Sequence, residues 1–353
     1  MQLAFSLSIK AALNMGIFVG ALALTAAGLR PFTIPPTDPV IGAKLAWWNT
    51  HGADYDTLII GTSRLYRGVI PRVLDETAAA EGMPLHSFNL AVDGLRPPED
   101  DFVLEKALAV PGLKLRWVIV ECNEVKLQVN DLEHQSARDI YWHDWPRLRI
   151  LWRRTWARSD GERHSVFTRV ARRGGNLEQF AGHVRLWLWS SLRPGGGIGA
   201  IGRYRDFRFR PRQSVAGRAF DGYDEPSATE PLHGRELNEY TKMWSRLLAE
   251  APPLNFGDSE SQAELGRKRG VIERVGAKMI LVRPPYLDKE VYAPLPSLHR
   301  VPFFDCSDPS RFPQLYAVEV RRDYGHTNAR GSAIYSRMLA HELHRIAIRD
   351  GGN

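Results

Sequence analysis

Short apolar, β-branched runs alternate with longer amphipathic stretches through most of this chain. Thr57 to Gly61 is an apolar run that closes on glycine, the pattern of a strand buried on both faces. His86 to Ala91 reads as a second strand and Trp117 to Val120 as a third, entering Glu121-Cys122-Asn123-Glu124. Between them, Ile70-Pro71 opens a helical stretch through Ala80, and Pro98 to Val110 suits another helix. The alternation returns later in the chain. Glu236 to Ala251 reads as a helix, Ser259 as the cap of a helix running toward Val275, and Lys278 to Val282 as a strand ending at Pro284-Pro285. Val301 to Phe304 follows as the last strand, entering Asp305-Cys306-Ser307-Asp308, and Asn328 to Ala347 as a helix with one apolar face. No internal repeat is present. Strands alternating with helices predict an α/β fold, a doubly wound parallel sheet with helices on both faces. Ligands of such sheets bind beyond the carboxyl ends of the strands, where Ser63 and Asn123 both fall.

Two segments depart from that pattern. From Ala11 to Leu29 the chain carries no charge, and only Asn14 and Thr25 are polar. At a rise of ~1.5 Å per residue this run just reaches across a bilayer core of roughly 30 Å, which predicts an N-terminal transmembrane anchor. Ala21-Leu22-Ala23 leaves a cleaved signal peptide as the competing reading. Either way the following domain is expected on the far side of the inner membrane. Pro31 to Pro39 is rich in proline and reads as a stiff spacer. The boundaries then run as a cytoplasmic N-terminus over 1–10, the anchor over 11–29, a linker over 30–55, α/β halves over 56–131 and 237–353, and a helical basic insertion over 132–236.

The insertion holds Trp142, Trp145, Trp152, Trp156, Trp187 and Trp189 and is dense in arginine from Arg138 to Arg212; it accounts for the formal net charge of +7. It fits either a basic surface for phospholipid headgroups or an anionic glycan, or a solvated helical insertion with its own small core. Arginine interleaved with aromatics also suits nucleic acid, but an exported, anchored domain argues against that partner. Cys122 and Cys306 read as small buried hydrophobes, with a single bridge as the alternative.

The candidate chemistry is a nucleophile and its base. Ser63 ends the strand-like run, and Asp323-Tyr324-Gly325-His326 lies in a polar loop just before the last helix. The D-x-x-H spacing lets the carboxylate orient the imidazole within one turn of chain, the arrangement that activates a serine hydroxyl. Leu65 stands where a G-x-S-x-G elbow needs its second glycine. Gly61-Thr62-Ser63, Asn89 to Gly94, Glu121-Cys122-Asn123-Glu124 and Asp323 to His326 occur in the order of the four blocks of the SGNH/GDSL esterases and acyltransferases, and the chain resembles that family over roughly residues 55–125 and 275–350.

That resemblance implies a flavodoxin-like sheet, a Ser63–His326–Asp323 triad, and an oxyanion hole from the N–H groups of Ser63 and Gly94 with the amide of Asn123. Asn328 and Gly331 follow the last block as in many members. Thr62 stands in place of the aspartate of the first block, and Glu121 and Glu124 in place of the glycine and aspartate of the third. These departures bring the chain nearer to membrane-anchored relatives such as the alginate O-acetylation proteins and the D-alanyl transfer protein of teichoic acid synthesis.

The implied activity is transfer of an acyl group, most plausibly acetyl, to or from a hydroxyl of an envelope or exported polysaccharide, or hydrolysis of such an ester. The implied setting is a bacterial inner membrane with the domain in the periplasm, where a membrane-bound partner is able to deliver the acyl group. No cofactor or metal is expected. Arg64 and Asn328 are the candidate substrate contacts, with Arg64 pairing to Glu124 as its simpler role. The alternative from another class is a non-catalytic component of an envelope assembly that keeps this fold and binds through the Trp/Arg insertion. Other patterns fail on context. Gly197 to Gly202 matches G-x-G-x-x-G but leads into RYRDFRFR rather than an apolar-faced helix, His341-Glu342-Leu343-His344 lacks zincin spacing, and Glu121 and Glu124 sit too close in sequence to flank a sugar.

Overall fold

A computed structural model of the chain describes residues 2–29, 39–128, 138, 141–157, 166–192, 221–223, 232–249, 254–255, 258–287, 291–292 and 301–351. The glycine-rich stretch 197–202 and the proline spacer before residue 39 lie outside them. The chain divides into two compact units, one of residues 40–126, 156–163 and 211–353, the other of 1–39, 127–155 and 164–210.

The first unit is built on a five-stranded, all-parallel sheet. Its strands are β1 (Thr57–Ile60), β2 (Ser87–Asn89), β3 (Trp117–Glu121), β5 (Lys278–Arg283) and β7 (Phe303–Asp305). Their order is β2-β1-β3-β5-β7. Taken in chain order this is the 2-1-3-4-5 arrangement of flavodoxin-like folds. Two-residue strands β4 (Leu254–Asn255) and β6 (Val291–Tyr292) pair separately. Period-two alternation sends Ile59, Ile119, Ile280 and Val282 to one face, and Leu58, Ile60, Val118, Val120, Met279 and Leu281 to the other. All ten are buried, so both faces are covered.

Helices α4 (Pro71–Ala80) and α10 (Ala329–Gly351) pack on each other. Tyr335, Leu339 and Leu343 of α10 share one apolar cluster with Ile59, Ile119 and Ile280. Helix α5 (Glu99–Leu108) packs on α9 (Ser259–Arg274), which lies against β5. Gly331 lets α10 start close to the preceding loop, because a Cβ there would come 2.3 Å from the carbonyl oxygen of Val320.

The remaining helices are α1 (Gln2–Leu29), α2 (Pro39–His51), α3 (Ser63–Tyr66), α6 (Trp145–Trp156), α7 (Val166–Leu192) and α8 (Gly234–Ala249). Helix α2 occupies part of the span expected as linker. Its Trp48 is fully buried beside Phe88 and donates through Nε1 to the carbonyl of Ala107 at 2.9 Å. Buried Lys44 donates to the carbonyls of Asn89 and Ala91 at 2.9 and 2.6 Å. Proline at the first position of a helix breaks no intrahelical bond, which is why Pro39 opens α2 rather than preventing it. The cap of α9 is Asp258, one residue before the expected Ser259: its Oδ1 accepts from the N–H groups of Glu260 and Ser261.

In the second unit α1 packs on α7, and rings of α6 and α7 meet at Trp145–Trp187 and Trp152–Phe180. Among the described residues no helix is long and apolar enough to cross a membrane. The spanning segment expected at 11–29 is therefore unsupported.

Three carboxylates, Asp100, Asp101 and Glu264, are buried close enough together to hold a cation. Lys268 of α9 fills that position, with Nζ 2.7 Å from Asp100, 3.8 Å from Asp101 and 3.5 Å from Glu264. Removing one partner of a buried charge cluster leaves the others uncompensated, typically at a cost of 3–5 kcal/mol. Lys268→Met is accordingly expected to lower stability by about 3–5 kcal/mol, read from urea unfolding midpoints at neutral pH. An unchanged midpoint would show that the cluster does not join α9 to α5.

Candidate active site

Parallel pairing in register brings the strand ends level: Ile60 lies opposite Val120, Glu121 opposite Val282, and Arg283 opposite Asp305. The loops that leave these ends line a cavity of about 580 Å³, with Ser63, Arg64, Gly94, Asn123, Tyr286 and His326 in its wall. Segments at the ends of all five strands and the loop before α10 thus converge on one space.

Ser63 is the first residue of α3. Thr62 caps this short helix, its hydroxyl accepting from the Arg64 N–H at 3.3 Å. The first N–H groups of a helix have no intrahelical acceptor. Among the described residues nothing accepts from the N–H of Ser63 or of Gly94. Gly94 adopts φ +70°, a left-handed conformation that glycine reaches without strain. Asn89, fully buried on β2, holds the turn after Ser63 by donating through Nδ2 to the carbonyls of Leu65 and Val69 at 2.9 and 3.0 Å.

His326 approaches Ser63 from a loop 263 residues downstream, with Nε2 2.7 Å from Ser63 Oγ. Its Nδ1 lies 2.8 and 2.9 Å from the two oxygens of Asp323. A proton on Nδ1 facing that carboxylate leaves the Nε2 lone pair toward the serine hydroxyl. Asp323 Oδ1 also accepts from the N–H groups of Gly325 and His326, both at 2.8 Å. Burial pushes the Asp323 carboxyl up. The hydrogen bond and charge of His326, with those two amide donors, outweigh it and hold the group below its ordinary range. The loop is closed by an antiparallel bridge between Arg321 and Thr327. Buried Arg321 donates to the carbonyls of Pro285, Asp323 and Tyr324 from inside it.

Contacts of α10 bring the two halves into register. Ser332 Oγ donates to the carbonyl of Arg67 at 2.7 Å, and Ser336 Oγ accepts from the N–H of Ile70 at 2.9 Å. Both serines are fully buried and sit one helical turn apart, so a single face of α10 grips the segment that leaves Ser63.

Arg64 does not pair with Glu124. Its Nη2 lies 2.6 Å from Glu121 Oε1 and 2.7 Å from Asn123 Oδ1, and the guanidinium sits over the Tyr286 ring at 5.0 Å. Glu121, 1% exposed, also accepts from the Thr62 N–H at 2.6 Å and the Thr62 hydroxyl at 3.1 Å. A Cβ on Gly61 would lie 2.6 Å from that carboxylate, so glycine is required at the strand exit. With its carbonyl oxygen held by Arg64, the side chain of Asn123 turns its amide nitrogen the other way, where it has no partner. Ser63 N–H, Gly94 N–H and Asn123 Nδ2 are therefore three unmatched donors in the lining of the cavity that holds the serine.

The substrate-contact role expected for Asn328 finds no support. Its Oδ1 accepts from the Gly331 N–H at 3.1 Å and its Nδ2 donates to the carbonyl of Glu319 at 2.9 Å, so the side chain is spent as the cap of α10. Cys122 and Cys306 are both free, buried thiols, and burial pushes Cys122 up to about 12. Glu121, Asn89 and Arg321 escaped the sequence reading as site residues. Glu121 and Asn89 lie within the short blocks quoted above, and Glu121 stood out as a departure and as half of a rejected carboxylate pair. No family model, no curated protein and no solved structure matches this chain.

Because the Asp323 carboxyl is depressed in the folded state, its stabilisation is fully present above the unfolded-chain value near ~4 and is lost as the pH falls through the lower folded value. The stability gap between wild type and Asp323→Asn, measured by urea unfolding, should shrink as the pH falls below about 4. A gap that widens as the pH falls below about 4 would contradict the depressed Asp323 carboxyl.

Proposed function

We propose that the chain is a serine-dependent acyltransferase or esterase of SGNH type, acting on an O-acyl group, O-acetyl in the first instance, of an envelope or exported polysaccharide. One observation carries this reading: Ser63 Oγ, His326 Nε2, His326 Nδ1 and Asp323 form an unbroken hydrogen-bonded line beside three unmatched N–H donors. The order of the four short blocks along the chain supports it.

In the proposed reaction Ser63 Oγ bonds to the acyl carbon while its proton passes to His326 Nε2. The carbonyl π pair moves onto oxygen, where Ser63 N–H, Gly94 N–H and Asn123 Nδ2 donate to it. Collapse of the tetrahedral species expels the alkoxide leaving group, which takes the proton from His326, and the acyl group remains as a Ser63 ester. Water or a sugar hydroxyl then gives its proton to His326 and attacks the ester, and Ser63 recovers its proton as the product leaves. Asp323 stays ionised throughout and stabilises the imidazolium.

A fluorophosphonate probe should label the wild type and leave Ser63→Ala unlabelled. Asn123→Ala should lower kcat for an aryl acetate by about 100- to 1,000-fold, the usual cost of losing one oxyanion donor. Folded wild type that neither labels nor turns over the ester would exclude catalysis.

For the setting, we infer a domain held at the outer side of the bacterial inner membrane by its N-terminal helix. The uncharged run 11–29 supports this, as do Leu13, Met15, Ile17, Phe18 and Leu24 of α1. These side chains are 62–76% exposed, and residues 11–21 are exposed on every side of the helix. A helix apolar on every side needs an apolar surrounding. Full-length protein in isolated membranes should stay in the pellet after alkaline carbonate extraction, and release into the supernatant would exclude the tether.

A further inference from the structure

Helix α6 carries four arginines and no acidic residue. Its burial follows the helical repeat. Arg147, Leu148, Ile150, Leu151 and Thr155 are buried, while Trp145, Arg149, Trp152 and Arg153 are exposed. Of the six exposed residues of the helix these four lie at i, i+4, i+7 and i+8, a single stripe, Pro146 and Trp156 being the other two. Asp144, the acidic residue just before the helix, is taken by buried Arg147 at 3.0 Å. Among the described residues neither Arg149 nor Arg153 has an acidic partner.

We infer that this stripe docks on an anionic phospholipid surface. Trp145 and Trp152 remain 58% and 45% exposed although each tryptophan offers a large apolar area to bury. Each meets a ring of α7 in a tilted contact, Trp187 at 5.9 Å and Phe180 at 5.1 Å, and keeps about half of its surface open. Indoles with an apolar body and one N–H settle at the headgroup level of a bilayer, and arginines on the same face meet the phosphates.

The charge of the stripe is of one sign, which fits an anionic surface and gives a neutral one no advantage. A glycan is the poorer occupant. A neutral sugar gains little from charge of one sign, and an anionic glycan offers the indoles no apolar layer at headgroup depth. The unit that carries the stripe also carries α1, whose described apolar side chains are exposed.

The inference shares a membrane setting with the proposed tether, so its test separates the two. Full-length protein is mixed with phosphatidylcholine vesicles, with and without phosphatidylglycerol, whose acyl chains are brominated to quench indole fluorescence. Co-sedimentation reports the tether, and quenching of the fraction removed by Trp145→Phe/Trp152→Phe reports the stripe. That fraction should be quenched in phosphatidylglycerol vesicles, be relieved by salt, and be little affected in pure phosphatidylcholine. Arg149→Gln/Arg153→Gln should lower the docked-to-undocked ratio about fivefold for each arginine, with pelleting unchanged. Equal quenching in both vesicle types, indifference to the arginine changes, or protection of these indoles by polygalacturonate instead of vesicles would overturn it. Absence of quenching in the anionic vesicles would do so whether or not the chain pellets.

Discussion

A buried carboxylate organises this site. Glu121 ends β3 inside the sheet, where an isolated charge would be costly, and it is matched by the Thr62 amide, the Thr62 hydroxyl and the Arg64 guanidinium. Each partner has a second task. Thr62 caps the helix that begins with Ser63, and Arg64 holds the oxygen of Asn123. One buried carboxylate thus sets both the turn that presents Ser63 and the orientation of the Asn123 amide. Where the resemblance leads one to expect aspartate at position 62 and glycine at 121, the chain has threonine and glutamate. The two departures meet in a direct contact, Glu121 accepting from the Thr62 amide and hydroxyl.

The rest of the site depends on long-range hydrogen bonds that fix loops as rigid parts. Asn89 closes the turn after Ser63 from the adjacent strand, and Arg321 fills the loop that carries Asp323 and His326. Ser332 and Ser336 bind the helix following that loop to the segment following Ser63. Preorganisation of this kind lets a hydroxyl, an imidazole and a carboxylate from distant stretches meet within hydrogen-bond distance.

How much of this was legible can be judged residue by residue. Thr57 to Gly61, Trp117 to Val120 and Lys278 to Val282 announced themselves as buried strands because an apolar run with no alternation has to be covered on both faces. Ser63, Asp323 and His326 were visible as residue types at suggestive positions. Helix α2 was hidden, because a proline-rich approach resembles a spacer until Trp48 and Lys44 are seen packed against β2. Asn328 looked like a site residue by its closeness to His326, yet an asparagine before a helix has a nearer use as its cap. Arg64 was assigned the wrong glutamate, since neighbouring loop residues cannot be told apart until the strand register is known.

Local order, then, was determined by the amino-acid sequence alone: which segments pair as strands, which fold as helices, and which chemical groups stand at their ends. Such choices follow from hydrophobic periodicity and backbone preference, both of which act within a few residues. Tertiary structure decided which ends share a cavity, that Glu121 rather than Glu124 receives Arg64, and that Asn123 keeps its amide unmatched. Those outcomes depend on strand order and on the burial of charge, and burial is a property of the packed chain rather than of any segment of it.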